Sequence, residues 1–108
     1  MSKTVTRQEL QARIAANPNL VLLEALPEKY YADWHLPNAK HFPHDQARAL
    51  APSVVPDKHS EVVVYCASKT CQNSHIAARV LEQIGYANVA VYAGGKEDWK
   101  EGEVAVAA

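Results

Sequence analysis

An α/β domain with a mainly parallel sheet is the fold class this sequence predicts, and two observations predict it. Glu61-Val62-Val63-Val64-Tyr65-Cys66 is continuous, apolar and β-branched, as a strand covered on both faces is. Strand, helix and strand then follow one another in about 30 residues, the length of a βαβ unit with a right-handed crossover. With 108 residues the chain has the size of one ordinary domain, 1–108, and no repeat, linker or low-complexity tract divides it.

The elements can be justified in order. Thr6-Arg7-Gln8-Glu9 places a hydroxyl three residues before a glutamate, with Leu10 and Ile14 at helical spacing, which predicts a helix to about Ala16. Asn17-Pro18-Asn19 breaks it, and Leu20-Val21-Leu22-Leu23-Glu24 is a short buried strand bounded by turn chemistry. Pro27 opens a short helix, Glu28 to Ala32, because its missing N–H is not needed in a first turn. A loop, Asp33 to Ala39, leads to a brief strand Lys40-His41-Phe42 that Pro43 cuts off; Gln46 to Ala51 is weakly helical, and Pro52, Pro56 and Asp57 mark a loop.

After the strand at Val62, a polar loop runs from Ala67 to Asn73. From Ser74, Ile76, Ala77, Val80, Leu81 and Ile84 form one helical face, and Gly85 stands where a left-handed cap belongs. Val89-Ala90-Val91-Tyr92 is a last buried strand, and the tail Val104 to Ala108 is expected to fray.

Composition removes several classes of function. Forty-eight per cent hydrophobic with 21 per cent charged excludes disorder for most of the chain. Eleven Lys+Arg against 12 Asp+Glu, a net charge of −1, leaves no basic block for the phosphates of a nucleic acid. The longest apolar run, Val62 to Ala67, is far short of the about 20 residues of a membrane helix. The N-terminus lacks the apolar stretch of a secretory signal, which predicts a mature, cytoplasmic chain. Two cysteines, Cys66 and Cys71, are too few to staple a secreted scaffold.

Ligands of open α/β sheets collect beyond the carboxyl ends of the strands, where Cys66 ends the strongest strand. Backbone N–H groups of the Ala67 to Asn73 loop and the positive end of the next helix are expected to converge there, lowering the thiol's pKa and holding an anion beside it. A thiolate with an anion cradle suits sulfur or phosphoryl transfer. The alternative is that Cys66 is a small buried hydrophobe ending a core strand.

Four segments resemble, in order, the rhodanese-like single-domain sulfurtransferases. Leu22-Leu23-Glu24-Ala25-Leu26, followed by Tyr30 to Ala39 with Trp34-His35-Leu36-Pro37-Asn38-Ala39, is similar to the family's first signature. Val63-Val64-Tyr65-Cys66 resembles the strand that delivers its active-site cysteine, and Ala77-Ala78-Arg79-Val80-Leu81 with Gly85-Tyr86 the helix behind it. Val91-Tyr92-Ala93-Gly94-Gly95-Lys96-Glu97-Asp98-Trp99 resembles the closing signature.

The resemblance implies a sheet of about five strands with helices on both faces. It also implies that Cys66 accepts a sulfane sulfur from thiosulfate, polysulfide or a persulfide and passes it to a thiol or protein acceptor, without a cofactor. Ala67, Ser68, Lys69, Thr70, Cys71, Gln72 and Asn73 would then bind the substrate. The family's usual loop reaches its serine sooner; here Ser74 is eight positions after Cys66, and the longer loop holds a second thiol. Lys69 is its only cation.

Two rival readings stand beside this one. A cysteine phosphatase or arsenate reductase needs an arginine where Gln72 stands, and a neutral amide cannot clamp an oxyanion in its place. An idle docking module would keep the fold and use the loop for protein contacts. Cys71 is either a resolving thiol, attacking a persulfide or pairing with Cys66, or a loop-packing residue.

No metal is expected, since His35, His41, His44, His59 and His75 show no ligand spacing with the cysteines. His35 is expected to be structural and His75 an exposed helix residue. Glu24 is expected to anchor loop backbone, Gly94 and Gly95 to permit positive φ or close approach, and Trp34 and Trp99 to pack at the core or rim.

Overall fold

The computed structural model describes residues 3–108. Its elements are β1 (Lys3–Val5), α1 (Arg7–Ala16), β2 (Val21–Glu24), α2 (Glu28–Asp33), β3 (Lys40–His41), α3 (Ala47–Val54), β4 (Val62–Tyr65), α4 (Asn73–Gln83), β5 (Val89–Tyr92) and α5 (Gly95–Glu101), with a 3₁₀ turn at His44–Gln46. The five strands form one parallel sheet in the order β1-β5-β4-β2-β3. The mainly parallel α/β sheet expected from the sequence is therefore present. No described helix is long and apolar enough to cross a membrane.

This strand order sorts the helices. The chain advances from β1 to β2 to β3, then jumps back across β2 to β4 and on to β5. Right-handed crossovers that reverse direction place their helices on opposite faces. Strand alternation fills the two resulting cores. Leu23, Val62, Val64, Val89 and Val91 pack with Ala47, Ala51, Ala77, Ala78 and Leu81 of α3 and α4. Leu22, Val63, Tyr65, Ala90 and Tyr92 pack with Leu10 of α1 and Trp99 of α5. Reversal also makes a switch point between β2 and β4, where carboxyl ends diverge and a ligand site is expected.

Local signals account for most boundaries. Thr6 caps α1 as expected: its hydroxyl accepts from the Glu9 N–H at 3.1 Å, and the Glu9 carboxylate accepts from the Thr6 N–H at 2.9 Å. Arg13 and Asn17, at the far end of α1, both reach Glu61 in front of β4, at 3.2 and 3.1 Å. Gly85 ends α4 with φ +104°, a conformation that suits only glycine well.

Three expectations need correction, and one helix was not read from the sequence. Pro52 lies inside α3 and not in a loop. Asn73 already belongs to α4, so the loop after β4 ends at Gln72. α5 covers Gly95–Glu101, a stretch to which the sequence reading assigned no element. The tail does not fray: Ala107 and His35 exchange backbone hydrogen bonds of 2.9 and 2.8 Å, and the Trp99 indole N–H donates to Ala105 O at 3.0 Å.

Candidate active site

Cys66 is the first residue beyond β4, at the switch point, and its residue surface is 1 % exposed. Its carbonyl accepts the Lys96 N–H at 2.9 Å, and the carbonyl of Ala67 accepts the Glu97 N–H at 2.9 Å. The first turn of α5 thus holds the start of the loop. Gly95 makes this approach possible: with φ +61°, a Cβ there would stand 2.3 Å from the Cys66 carbonyl oxygen. Gly94 has an ordinary φ of −65°, so positive φ is confined to the second glycine of the pair.

On the other side of Cys66, the thiol lies 3.2 Å from the Ser74 hydroxyl in the first turn of α4 and donates to the Cys71 carbonyl at 3.4 Å. The Cys71 N–H is occupied by Ser68 O at 3.0 Å, which folds the loop back over the strand end. Of the N–H groups expected to converge on the sulfur, that of Cys71 is turned away and its carbonyl takes its place, while the Ser74 N–H at the start of α4 acts on the thiol. The expected lowering of the thiol's pKa is corrected. Burial, followed by the Cys71 carbonyl, pushes the Cys66 thiol up to about 11, and the Ser74 hydroxyl and N–H do not offset these. Burial and the Cys71 carbonyl thus favour the protonated thiol at neutral pH.

The remaining loop residues spread outward. Ala67, Lys69, Thr70 and Gln72 are exposed, Ser68, Cys71 and Asn73 half-buried, and the hydroxyls of Ser68 and Thr70 hydrogen-bond at 3.1 Å. Lys69 lines a cleft of about 450 Å³ with Arg7, Tyr92, Gly94 and Asp98. Arg7 is engaged there with Asp98, at 3.3 Å to the carboxylate and 2.6 Å to the backbone carbonyl.

A buried polar row supports the site from the α1/α5 face. Glu24 stands in register with His41 on β3 and Tyr65 on β4, and Tyr65 with Tyr92 on β5. The Glu24 carboxylate is fully buried; it accepts the Tyr65 hydroxyl at 2.7 Å and meets the Lys96 ammonium at 3.1 Å. That ammonium also donates to Tyr30 O at 2.6 Å and lies 4.9 Å from the Trp34 ring. The Tyr65 hydroxyl in turn accepts from the Leu36 N–H at 3.1 Å, so Glu24 anchors loop backbone one group removed.

Lys96 and Tyr65 are the supporting residues that the sequence reading missed; the available signal was the need of a covered Glu24 for partners. His35 is structural, stacked on Tyr31 at 4.0 Å with Nδ1 2.9 Å from Tyr31 O. His75 is half-buried in the first turn of α4. Trp99 is buried against Tyr92. Among the described residues no group of three or more His, Cys, Asp or Glu side chains could hold a metal.

Comparison with known proteins agrees with this fold. No curated protein matches the chain. Among solved structures, an uncharacterized protein from Saccharomyces cerevisiae is 25 % identical with a TM-score of 0.79, over 94 % of this chain and 92 % of that one. A rhodanese from E. coli, solved with anions, is 28 % identical with a TM-score of 0.65, over 73 % and 89 %. A human single-domain sulfurtransferase shares the fold at 21 % identity and a TM-score of 0.80, over 96 % and 100 %. The rhodanese-like domain family matches residues 6–102, nearly the whole chain, and this protein belongs to that family.

Proposed function

We propose that the protein is a sulfurtransferase in which Cys66 carries the sulfur. The observation that supports this most is the placement of Cys66 at the switch point, with its carbonyl held by α5 and its sulfur beside Ser74 at the start of α4. The Cys66 thiolate attacks the sulfane sulfur of a donor, the donor's S–S bond breaks, and with thiosulfate as donor the sulfane sulfur stays on Cys66 while sulfite leaves. An acceptor thiolate, small or on a protein, then takes the outer sulfur and restores Cys66. Splitting the transfer in this way replaces one difficult step by two easier ones. The Ser74 hydroxyl and N–H stabilise the thiolate once the proton has gone to solvent.

The site residues would be Cys66 as nucleophile, the loop residues Ala67, Ser68, Lys69, Thr70 and Gln72 with Asn73 at the start of α4 around the substrate, and Cys71 as a second thiol in that loop, with no cofactor and no metal. Glu24, Lys96 and Tyr65 position them. The absence of a guanidinium from this loop argues against phosphoryl transfer. A cytoplasmic setting, which keeps both thiols reduced, suits the chemistry.

One observation favours a second reading, a docking module without catalysis: Cys66 is buried and its thiol is held protonated. Turnover separates the two. With thiosulfate and a small thiol acceptor, the wild type releases sulfite continuously and Cys66→Ser releases none while keeping its fold. Equal sulfite release by both proteins overturns the assignment of Cys66, and no sulfur transfer by the wild type from thiosulfate, polysulfide or a persulfide favours the docking module.

A further inference from the structure

We infer that Cys71 discharges the Cys66 persulfide within the chain, releasing sulfide and leaving a Cys66–Cys71 disulfide that a low-molecular-weight thiol reduces. This rests on the proposed loading of Cys66. Its ground is the fold of the loop. The hydrogen bond from the Cys71 N–H to Ser68 O turns the chain back, and the Cys71 carbonyl comes within 3.4 Å of the Cys66 sulfur. The two residues are therefore in contact, and they are the chain's only cysteines. Cys66 is buried while Cys71 is half-buried, so the second residue is the one that reaches solvent, where a reductant has access. Charge on Cys71 also disfavours charge on Cys66, as expected for neighbouring sulfurs.

Loading itself prepares the step. In the resting state the Cys66 S–H donates to the Cys71 carbonyl. A persulfide carries its proton on the outer sulfur, so Sγ of Cys66 no longer donates to the Cys71 carbonyl, and that contact is released while the Ser68–Cys71 bond keeps the loop folded. The Cys71 thiolate then attacks Sγ of Cys66, the bond between the two sulfurs of the persulfide breaks, and the outer sulfur leaves with the Cys71 proton as hydrogen sulfide. The sulfane sulfur is reduced to sulfide and the two cysteines are oxidised to cystine, so no external oxidant is needed. Closure requires the Cα atoms to come within about 7 Å, which a short loop already folded by the Ser68–Cys71 bond permits. Exchange with a small thiol reopens the disulfide and resets the site.

The test uses the full chain, reduced and kept free of oxygen, treated with thiosulfate in the absence of any thiol acceptor. Wild type, Cys71→Ser and Cys71→Ala are followed by intact mass, by iodoacetamide trapping and by free sulfide. Both Cys71 variants should retain one added sulfur on Cys66. The wild type should release an equivalent amount of sulfide, end two hydrogens lighter than it began, and resist alkylation until a thiol is added. Wild type that holds its added sulfur as long as the variants do, or carries it on Cys71, overturns the inference. Failure of all three proteins to take up sulfur instead overturns the loading of Cys66, and the inference falls with it.

Discussion

Cys66 combines two opposed influences in one side chain. The Ser74 hydroxyl and N–H favour the thiolate, whereas burial and the Cys71 carbonyl favour the thiol and dominate, giving a pKa of about 11. Since only the thiolate attacks, the loading rate should rise with pH in proportion to the ionised fraction, by about 100-fold between pH 7 and pH 9. Single-turnover loading from a donor whose own charge does not change in that range measures it. A flat profile would mean that the thiol is already ionised at neutral pH, with the loop open. Gly95 matters at this scale for its missing side chain: any Cβ at φ +61° meets the Cys66 carbonyl. Gly95→Ala should therefore combine about 1–2 kcal/mol of backbone strain with a displaced Cys66, detected as lower stability together with slower loading.

At the scale of elements, α5 is bolted to the sheet by Lys96 and Glu24 and to the start of the loop after β4 by the N–H groups of Lys96 and Glu97. Lys96→Met leaves a fully buried carboxylate without its cation, a change that costs about 3–5 kcal/mol. Glu24→Gln with Lys96→Met removes both charges and should recover most of that loss. Urea unfolding of the single and double variants checks it, and equal losses in the two would show that the pair is not coupled. This pairing also shows where the sequence was legible. Capping residues, β-branched runs and helical spacing are local, so α1, β2, β4, α4 and β5 could be read directly. β1 was not, because three residues with only Val5 buried carry no periodicity. α5 was hidden by its opening glycine, and the partner of Glu24 lies 72 positions along the chain by subtraction of the residue numbers 24 from 96.

The whole molecule brings the carboxyl ends of all five strands to one edge and puts a thiol at the point where the chain reverses direction. The place of Cys66 follows from strand order and was visible in the sequence; the closed loop above it was not, because the orientation of the Cys71 peptide depends on tertiary contacts. The tail belongs to this scale as well, since Ala105 and Ala107 tie the end of the chain to Trp99 and His35. Removing Val104 to Ala108 leaves the Trp99 indole N–H without its acceptor and should destabilise the fold by about 1–3 kcal/mol, seen as a lower Tm. An unchanged Tm would mean that these contacts contribute nothing. The central claim, that Cys66 is the sulfur carrier, is tested most directly by locating the sulfur. Cys71→Ser is treated with thiosulfate or a low-molecular-weight persulfide, alkylated, digested and mapped by mass spectrometry. The account predicts one added sulfur atom on the peptide containing Cys66 and none when Cys66 is also replaced by serine; no added sulfur on that peptide with either donor would contradict it.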